Sequence, residues 1–449
     1  MELLPFILIL VFLFSAALMH FQINVFNITR ITLPATFYLT YLVMIFFPSI
    51  WVYYDQINSA RDDYILGVTS VLLTIPLGIY LVNKLYLFDK AEINRFYIAP
   101  ITESFSPQRS FPFHLVFSLL ALFLAGYYFY SIPSIPVLEL VSGLSNPAEL
   151  ALSREMAFKL LDPRWEGDES TYLFYAYLFL RTLVFPVLIV SLLGYALFTK
   201  QLKWTLLFLA VFLVGSFYAV SQLSRAPIAA IIMRLAVFCL LFYRGNISTK
   251  TLILIGAIML IFPLIVTMSY VVDYTIFDAL KAVFIRLTYT PAEDLYYYFE
   301  IFPNEHDFLY GQTIIKPFLK LLEFDYFYIE NYVALYISPW GLDSAHANAA
   351  FVSNFYADFG IPGVLIGGTI TGALIQWIQI FLFRRQKSIY NMTVFAFCLY
   401  AVWVLNFGSL TSVLFVNGLI PIFIFVFVIK GMVNLTPKLL PRKSQPLVK

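Results

Sequence analysis

The chain has 449 residues, of which 61% are hydrophobic, 19% aromatic and only 12% charged, with a mean hydropathy of +0.84 and a formal net charge of +2. A water-soluble domain cannot bury that much apolar surface, so the composition excludes a soluble enzyme and indicates a single all-α, polytopic membrane domain. The two cysteines, Cys239 and Cys398, each lie inside an apolar run, so neither a disulfide framework nor a thiolate metal site is predicted.

Apolar runs long enough to cross a bilayer, roughly 20 residues each, recur along almost the whole chain. The first run lacks a basic segment and a small-residue cleavage site, so we predict a retained helix rather than a signal peptide. In all we predict about 11 transmembrane helices (about 10 to 12), at residues 2–20, 33–53, 64–86, 113–133, 173–198, 204–222, 226–243, 250–272, 361–383, 390–409 and 412–430.

Charge is distributed unevenly between the connections. Basic residues occupy one alternating set, residues 84–112, 199–203, 244–250, 384–388 and the tail 431–449. Because cytoplasmic loops carry the excess of Lys and Arg, we predict that this set is cytoplasmic, with the basic tail at anionic headgroups. The long loops 134–172 and 273–345 hold 18 Asp and Glu against 7 Lys and Arg, and we predict that they are external.

The two long external loops are predicted to have different roles. Within 134–172 a helical stretch follows Asn146 and Pro147, and we expect it to lie across the external face as a partial lid. The hydrophilic segment 273–360, between the helices ending near 272 and starting near 361, is the candidate active-site region.

Arg181, Arg225 and Arg234 interrupt apolar runs, where a guanidinium costs about 2.5 to 3.5 kcal/mol on insertion scales. Arg181 and Arg225 lie near external helix ends, and Arg286 in the external segment can join them. Converging guanidinium groups bind diphosphates bidentately, so Arg181, Arg225 and Arg286 are predicted to bind a lipid-linked pyrophosphate. The alternative is that they pair with loop carboxylates. Arg234 follows Arg225 by nine residues, which predicts the opposite helix face and a structural role.

Carboxylates and aromatic rings alternate in the external segment. Tyr289, Glu293, Asp294 and Tyr297 offer oxygens for sugar hydroxyls and ring faces for pyranoses, although an interfacial aromatic belt has the same composition.

Two further polar residues lie where the chain returns to the membrane. His346 is a candidate general base for an attacking hydroxyl, although a lone histidine is also commonly structural. Asp358 enters the bilayer beside Gly360 and is expected to pair with one of the arginines.

Several motifs are absent from the sequence. It contains no D-x-D triplet, no G-x-x-x-x-G-K-[ST], no G-x-G-x-x-G and no H-E-x-x-H, and no cytoplasmic connection is long enough to hold a nucleotide domain. We therefore predict no metal, no cofactor and no nucleic-acid partner.

The order of the short motifs resembles the Wzy-type polymerases, which join oligosaccharide repeat units of bacterial O-antigen, common antigen and capsule. The resemblance covers most of the chain. It rests on Arg181 with Pro186, S-R-A at 224–226, R-x-T-Y-T-P-x-E at 286–293, F-L-Y-G at 308–311 and D-F-G-x-x-G at 358–363.

This resemblance implies a GT-C-like glycosyltransferase of the bacterial inner membrane, with its active site facing the periplasm. It would transfer a growing glycan from undecaprenyl pyrophosphate to the non-reducing end of a lipid-linked repeat unit. Arg181, Arg225 and Arg286 would hold the leaving diphosphate, and His346 or Glu293 would assist the acceptor hydroxyl. Its partners would be membrane lipid, a Wzz-type chain-length regulator and a Wzx-type flippase.

Three other functions fit the sequence. An O-antigen ligase would use the same donor with a different acceptor. A flippase of lipid-linked oligosaccharides, or another transporter, would place ionisable residues near the midplane and carry an internal repeat, which this sequence does not show. A structural subunit of an envelope assembly would have no obvious use for buried arginines.

Overall fold

In a computed structural model of the protein, every regular element among the described residues is a helix. The structure describes residues 3–439 except 28, 104–106, 133, 143–152, 154–175, 247, 271–273, 323, 325, 339–345, 348 and 417. In chain order the helices are α1 Leu4–Ile23, α2 Leu33–Asp55, α3 Ala60–Leu85, α4 Ala91–Ile98, α5 Pro107–Ser131, α6 Pro136–Ser142, α7 Ala176–Thr199, α8 Leu202–Val220, α9 Arg225–Phe242, α10 Thr249–Tyr270, α11 Ile276–Ile301, α12 Gln312–Leu321, α13 Ile329–Ile337, α14 Val352–Phe383, α15 Ile389–Val404, α16 Leu410–Phe415 and α17 Leu419–Leu439.

The helices identify a multi-pass membrane protein. Eight segments in the described part of the chain are long and apolar enough to cross a membrane: α1, α2, α3, α5, α7, α8, α14 and Leu410–Ile429. Three of the predicted spans correspond to shorter apolar helices, at Ala226–Phe242, Ile253–Ser269 and Ile389–Val404. The total of about 11 spans therefore stays a prediction. The predicted lid helix and the tail beyond residue 439 lie outside the described residues.

Local sequence explains where several helices begin. At the start of α2 the Thr32 hydroxyl accepts a hydrogen bond from the Ala35 N–H at 3.2 Å. Thr275 and Asp278 form a reciprocal capping box that starts α11. At the start of α15 the Ser388 hydroxyl accepts a hydrogen bond from the Asn391 N–H at 3.2 Å. These polar caps satisfy N–H groups that have no partner inside a helix.

α3 and α14 pack against each other along a seam lined by glycines. A Cβ on Gly78 would lie 2.7 Å from the Ala373 nitrogen, and closer still to the Thr369 carbonyl oxygen. A Cβ on Gly372 would lie 3.0 Å from the Ile75 Cα. Only glycine allows these two backbones to approach so closely.

The basic connections meet at one end of the bundle. Arg384 donates to the Glu92 carboxylate from Nε and Nη2, each at 3.0 Å. Lys387 donates to the Tyr97 carbonyl oxygen at 2.7 Å, and burial together with nearby Arg244 lowers the pKa of Lys387 to about 8. The connections that the sequence grouped by charge are therefore neighbours, while their cytoplasmic placement stays a prediction.

The predicted external segment 273–360 is largely helical. α11 spans 26 residues and packs against α3, α10 and the π-helical turn Leu42–Phe46 in the middle of α2. Its first half exposes large apolar side chains such as Phe277 and Phe284, 77% and 65% exposed. α11 is thus an amphipathic helix held against the bundle, with one face available to the candidate site.

Candidate functional site

A cavity of about 980 Å³ opens among α2, α7, α9, α10, α11 and α15. It is lined by the first part of α7 and α9 and by the last part of α10 and α15. Because these helices alternate in direction, those parts belong to the same end of the bundle, opposite the basic connections. The volume suits a ligand of substantial size, since pockets for small molecules run from about 300 to 1,000 Å³.

Arg181 lines this cavity and is held by a chain of buried hydrogen bonds. Its Nη1 donates to the Tyr177 hydroxyl at 2.7 Å, and that hydroxyl donates to Gln222 Oε1 at 2.8 Å. Gln222 Nε2 in turn donates to the Tyr128 hydroxyl at 2.9 Å. This chain fixes one side of the guanidinium and leaves its other donors for the cavity. Sequence reasoning missed all three partners: Tyr177 lies in α7, Tyr128 in α5, and Gln222 in the turn between α8 and α9.

One face of α11 supplies a cation, a hydroxyl and a carboxylate to the cavity. Arg286, Thr290 and Asp294 follow one another at intervals of four residues, so they lie along one stripe of the helix, and all three line the cavity. Among the described residues no carboxylate lies within 4.0 Å of the Arg286 guanidinium. Two of the residues predicted to bind substrate are therefore placed together.

Arg234 also lines the cavity, although the sequence predicted a structural role for it. Ala226, Ala230 and Arg234, again four residues apart, form the stripe of α9 that faces the open space. Arg225 begins the helix and lies between the lining residues Ser224 and Ala226, but its side chain lies outside the described residues.

His346 lines the cavity from the segment before α14. Its ring lies 5.6 Å from the Tyr328 ring, and the following residue, Ala347, donates its N–H to the Glu330 carbonyl oxygen at 2.9 Å. Glu330 accepts a hydrogen bond from Lys316 Nζ at 2.6 Å, so α12 and α13 hold this segment in place.

Glu293, Tyr289 and Tyr297 are not among the residues that line the cavity. Glu293 lies one residue from Asp294, about 100° around the helix, and its carboxylate is near Asp55 at the end of α2. The Tyr289 hydroxyl donates to Asp55 Oδ2 at 3.4 Å, and burial followed by the Asp55 charge raises the pKa of Glu293. The predicted catalytic carboxylate Glu293 thus does not line the cavity that holds the arginines, and among the described lining residues Asp294 is the carboxylate that shares it.

Among the described residues Asp358 pairs with Thr313 and not with an arginine, contrary to the prediction. Its Oδ2 accepts from the Thr313 hydroxyl at 2.6 Å and its Oδ1 from the Thr313 N–H at 3.2 Å. The Tyr310 N–H donates to the Asp358 carbonyl oxygen at 3.1 Å, and the Phe308 ring packs against Gly360, whose φ is +63°. The F-L-Y-G and D-F-G-x-x-G motifs therefore join α12 to α14 and cap the start of α12.

The cavity combines features suited to an anionic, amphiphilic ligand. Guanidinium groups bind phosphoryl oxygens, the histidine and carboxylate can exchange protons or hydrogen bonds with hydroxyls, and Met259, Leu260 and Pro263 supply apolar wall. Within the described part of the chain no group of three His, Cys, Asp or Glu side chains has the arrangement of a metal site.

No protein-family model, curated protein or solved structure matches the chain.

Proposed function

We propose that this protein is a membrane glycosyltransferase, specifically a Wzy-type polymerase of the bacterial inner membrane with its cavity facing the periplasm. It transfers a growing glycan from undecaprenyl pyrophosphate to the non-reducing end of a lipid-linked repeat unit. The observation that carries the proposal is the convergence of Arg181, Arg234 and Arg286 on one cavity with His346 and Asp294.

The arginines suit a diphosphate leaving group. A guanidinium stays charged at every physiological pH and presents paired donors that match phosphoryl oxygens. Charge develops on the bridging oxygen as the glycosidic bond breaks, and fixed donors in a site partly closed to water stabilise that charge. One such donor is worth about 100- to 1,000-fold in rate in other enzymes.

In the transfer step the bond between the anomeric carbon and the diphosphate oxygen breaks, and the lipid diphosphate leaves with the bonding electrons. The acceptor hydroxyl oxygen forms the new bond to the anomeric carbon, and its proton passes to a base. This proposal assigns that role to His346 and assigns Asp294 to the hydroxyls of the acceptor. Both side chains line the cavity that holds the arginines.

The protein surface beside the cavity suits a polyprenyl chain. α10 contributes Met259, Leu260 and Pro263 to the cavity wall, and the neighbouring first half of α11 exposes Phe277 and Phe284. An isoprenoid tail can lie on such surface in the membrane while its diphosphate reaches the arginines. A purely polar substrate would leave this apolar wall without a role.

Transport is the weaker reading because the opposite half of the bundle is filled by packed aromatic rings. Tyr195 stacks on Trp204 with 4.5 Å between ring centroids, and His114 lies 5.0 Å from the Tyr195 ring. The Phe238 ring and Ile389 press against the Gly194 backbone at the same level. A transporter would have to open this layer in a second conformation, whereas an enzyme needs only the open end.

The test is deletion of the gene and complementation with paired variants of α11. Arg286→Ala removes a cavity cation, and Lys281→Ala removes an exposed cation of the same helix that does not line the cavity. We expect Arg286→Ala to reduce long glycan by about 100-fold or more and Lys281→Ala to leave it unchanged, with both proteins present in the membrane at wild-type amounts.

The products of the deletion strain identify the reaction. Single repeat units that still reach their final acceptor indicate a polymerase, loss of all acceptor-linked glycan indicates a ligase, and lipid-linked units facing the cytoplasm indicate a flippase. Full-length polymer from Arg286→Ala would contradict the assignment of the cavity as the active site.

A further inference from the structure

A second open space, a groove of about 470 Å³, lies at the end of the bundle that carries the basic connections. It is lined by the last turns of α1 and α3 and by the turn that leads into α4. α1 and α3 are each long and apolar enough to cross a membrane, so their last turns lie at the level of the lipid headgroups. The groove therefore opens where a headgroup can enter it.

A chain of amide hydrogen bonds fixes one wall of the groove. Gln376 of α14 is 0% exposed, and its Nε2 donates to Asn83 Oδ1 at 2.6 Å. Asn83 Nδ2 donates to Gln22 Oε1 at 3.5 Å, and Gln22 Nε2 donates to the Pro76 carbonyl oxygen at 3.3 Å. Asn83 and Gln22 both line the groove, and each amide nitrogen carries a second hydrogen that these bonds do not use. The wall thus holds amide donors in fixed positions.

Two exposed lysines, Lys84 and Lys90, line the same groove. In the part of the chain that the structure describes, no carboxylate lies within 4.0 Å of either ammonium group. By contrast, Arg384 at the same end donates to the Glu92 carboxylate. Asp89 also lines the groove, and its Oδ1 accepts an N–H at the start of α4 at 3.1 Å. The two ammonium groups are therefore placed to bind a phosphate.

The remaining lining of the groove includes exposed apolar side chains. Phe21 and Leu87 are 72% and 84% exposed, and the Tyr80 ring is 47% exposed. Exposed apolar surface of this kind marks contact with a membrane, and an acyl chain can lie on it while its phosphate reaches the lysines. A free phosphate would leave this surface without a role.

We propose that this groove binds an anionic phospholipid with a hydroxylated headgroup, of the phosphatidylglycerol type. Lys84 and Lys90 bind the phosphodiester. The amides of Gln22 and Asn83, together with the Asp89 carboxylate, bind the glycerol hydroxyls. Two lysines repel an ammonium group, so the groove favours a glycerol headgroup over ethanolamine. The site does not depend on the reaction proposed for the opposite end of the bundle.

The experiment measures binding of three lipids with identical acyl chains to the full-length purified protein by native mass spectrometry. The lipids are phosphatidylglycerol, phosphatidylethanolamine and phosphatidylmethanol, which has the charge of phosphatidylglycerol without its hydroxyls. We expect the wild-type protein to bind phosphatidylglycerol about tenfold more tightly than phosphatidylethanolamine, because of the two lysines. It should bind phosphatidylglycerol about three- to tenfold more tightly than phosphatidylmethanol, because of hydrogen bonds to the hydroxyls.

Paired variants separate the groove from the general charge of this end. Lys84→Gln combined with Lys90→Gln should weaken binding of phosphatidylglycerol about tenfold or more. Lys200→Gln combined with Lys203→Gln removes two exposed lysines that do not line the groove, and it should bind like the wild type. Gln22→Leu should remove the preference for phosphatidylglycerol over phosphatidylmethanol and keep the preference over phosphatidylethanolamine.

Four outcomes would overturn the proposal. Equal binding of phosphatidylglycerol and phosphatidylethanolamine by the wild type would remove the anionic lipid, and phosphatidylmethanol bound as tightly as phosphatidylglycerol would remove the glycerol headgroup. Equal losses in the two lysine pairs would show attraction to the whole basic end rather than a site. Displacement of the lipid by an equal concentration of soluble glycerophosphoglycerol would make the groove a site for a soluble phosphodiester.

Discussion

The seam between α3 and α14 and the cavity between α7, α9 and α15 lie in the same helical bundle but are lined by different types of residue. At the seam, Gly78 and Gly372 bring two backbones into contact and leave no room for a ligand. At the cavity, short alanine side chains and arginines line an open space of about 980 Å³. α11 belongs to both regions, because one of its faces lies against α2 and α3 and another faces the cavity.

This difference shows how a membrane protein can hold costly charges in place. Lipid provides little hydrophobic force between helices, so close backbone contact supplies the rigidity. A rigid seam on one side allows loosely packed, charged walls on the other to keep their geometry. Substitutions in the seam should therefore act on folding, and substitutions in the cavity should act on activity.

The largest expected effect comes from placing a bulky side chain in the seam between α3 and α14. Gly78→Leu puts a side chain where a Cβ would already lie 2.7 Å from the Ala373 nitrogen, so α3 and α14 must separate. We expect loss of most folded protein from the membrane fraction, measured by the monodisperse peak in detergent chromatography. Gly126→Leu in α5 is the matched control, because a Cβ there meets no atom within 4 Å. Equal yields of both variants would show that the seam is not needed for folding.

The next effect separates the two faces of α11. Asp294→Asn changes a carboxylate on the cavity and should reduce polymer formation by about 10- to 100-fold, the scale of a hydrogen bond to a charged group. Glu293→Gln changes the neighbouring carboxylate on the seam side and should stay within about twofold of wild type. Both are measured as long glycan per amount of folded protein. A larger loss from Glu293→Gln than from Asp294→Asn would return the catalytic carboxylate to the position that the sequence predicted.

Sequence reasoning was sufficient where one residue type has one physical use. Apolar runs predicted the eight segments that can cross a membrane, because roughly 20 consecutive apolar residues in a helix match the thickness of the bilayer. The cost of burying arginine singled out Arg181. Arg286 and His346 were named from the predicted external segment, and all three residues line one cavity.

The errors arose where a rotation or a partner had to be known. The sequence assigned the site to the face of α9 that carries Arg225, whereas Arg234 lines the cavity together with Ala226 and Ala230. Glu293 and Asp294 differ by one step of a helix, which no composition rule resolves. Asp358 accepts a hydrogen bond from the Thr313 N–H at the start of α12 rather than from an arginine, because N–H groups at a helix start also attract carboxylates.

The smallest expected effect is a pH-dependent change in thermal stability when Glu293 is replaced. Burial followed by the Asp55 charge raises the pKa of Glu293, so the folded protein holds this proton more tightly than the unfolded chain. Stability therefore falls as pH rises from the unfolded value of about 4.3 through the raised value. Glu293→Gln removes this loss, so its Tm should exceed that of wild type by on the order of 1 °C at neutral pH and match it at acid pH.

Asp278, also on α11, provides a control of opposite sign. Hydrogen bonds from Thr275 lower the pKa of Asp278, so its contribution to stability is present above the unfolded value and disappears as pH falls through the lowered value. Asp278→Asn should therefore lower Tm at neutral pH, with the difference closing in acid. Thermal unfolding of both variants across this pH range tests the two slopes together, and slopes of the same sign would contradict the placement of Glu293 against Asp55. Because Asp294 lies one residue away on the cavity face, agreement would also support the orientation of α11 on which the candidate site depends.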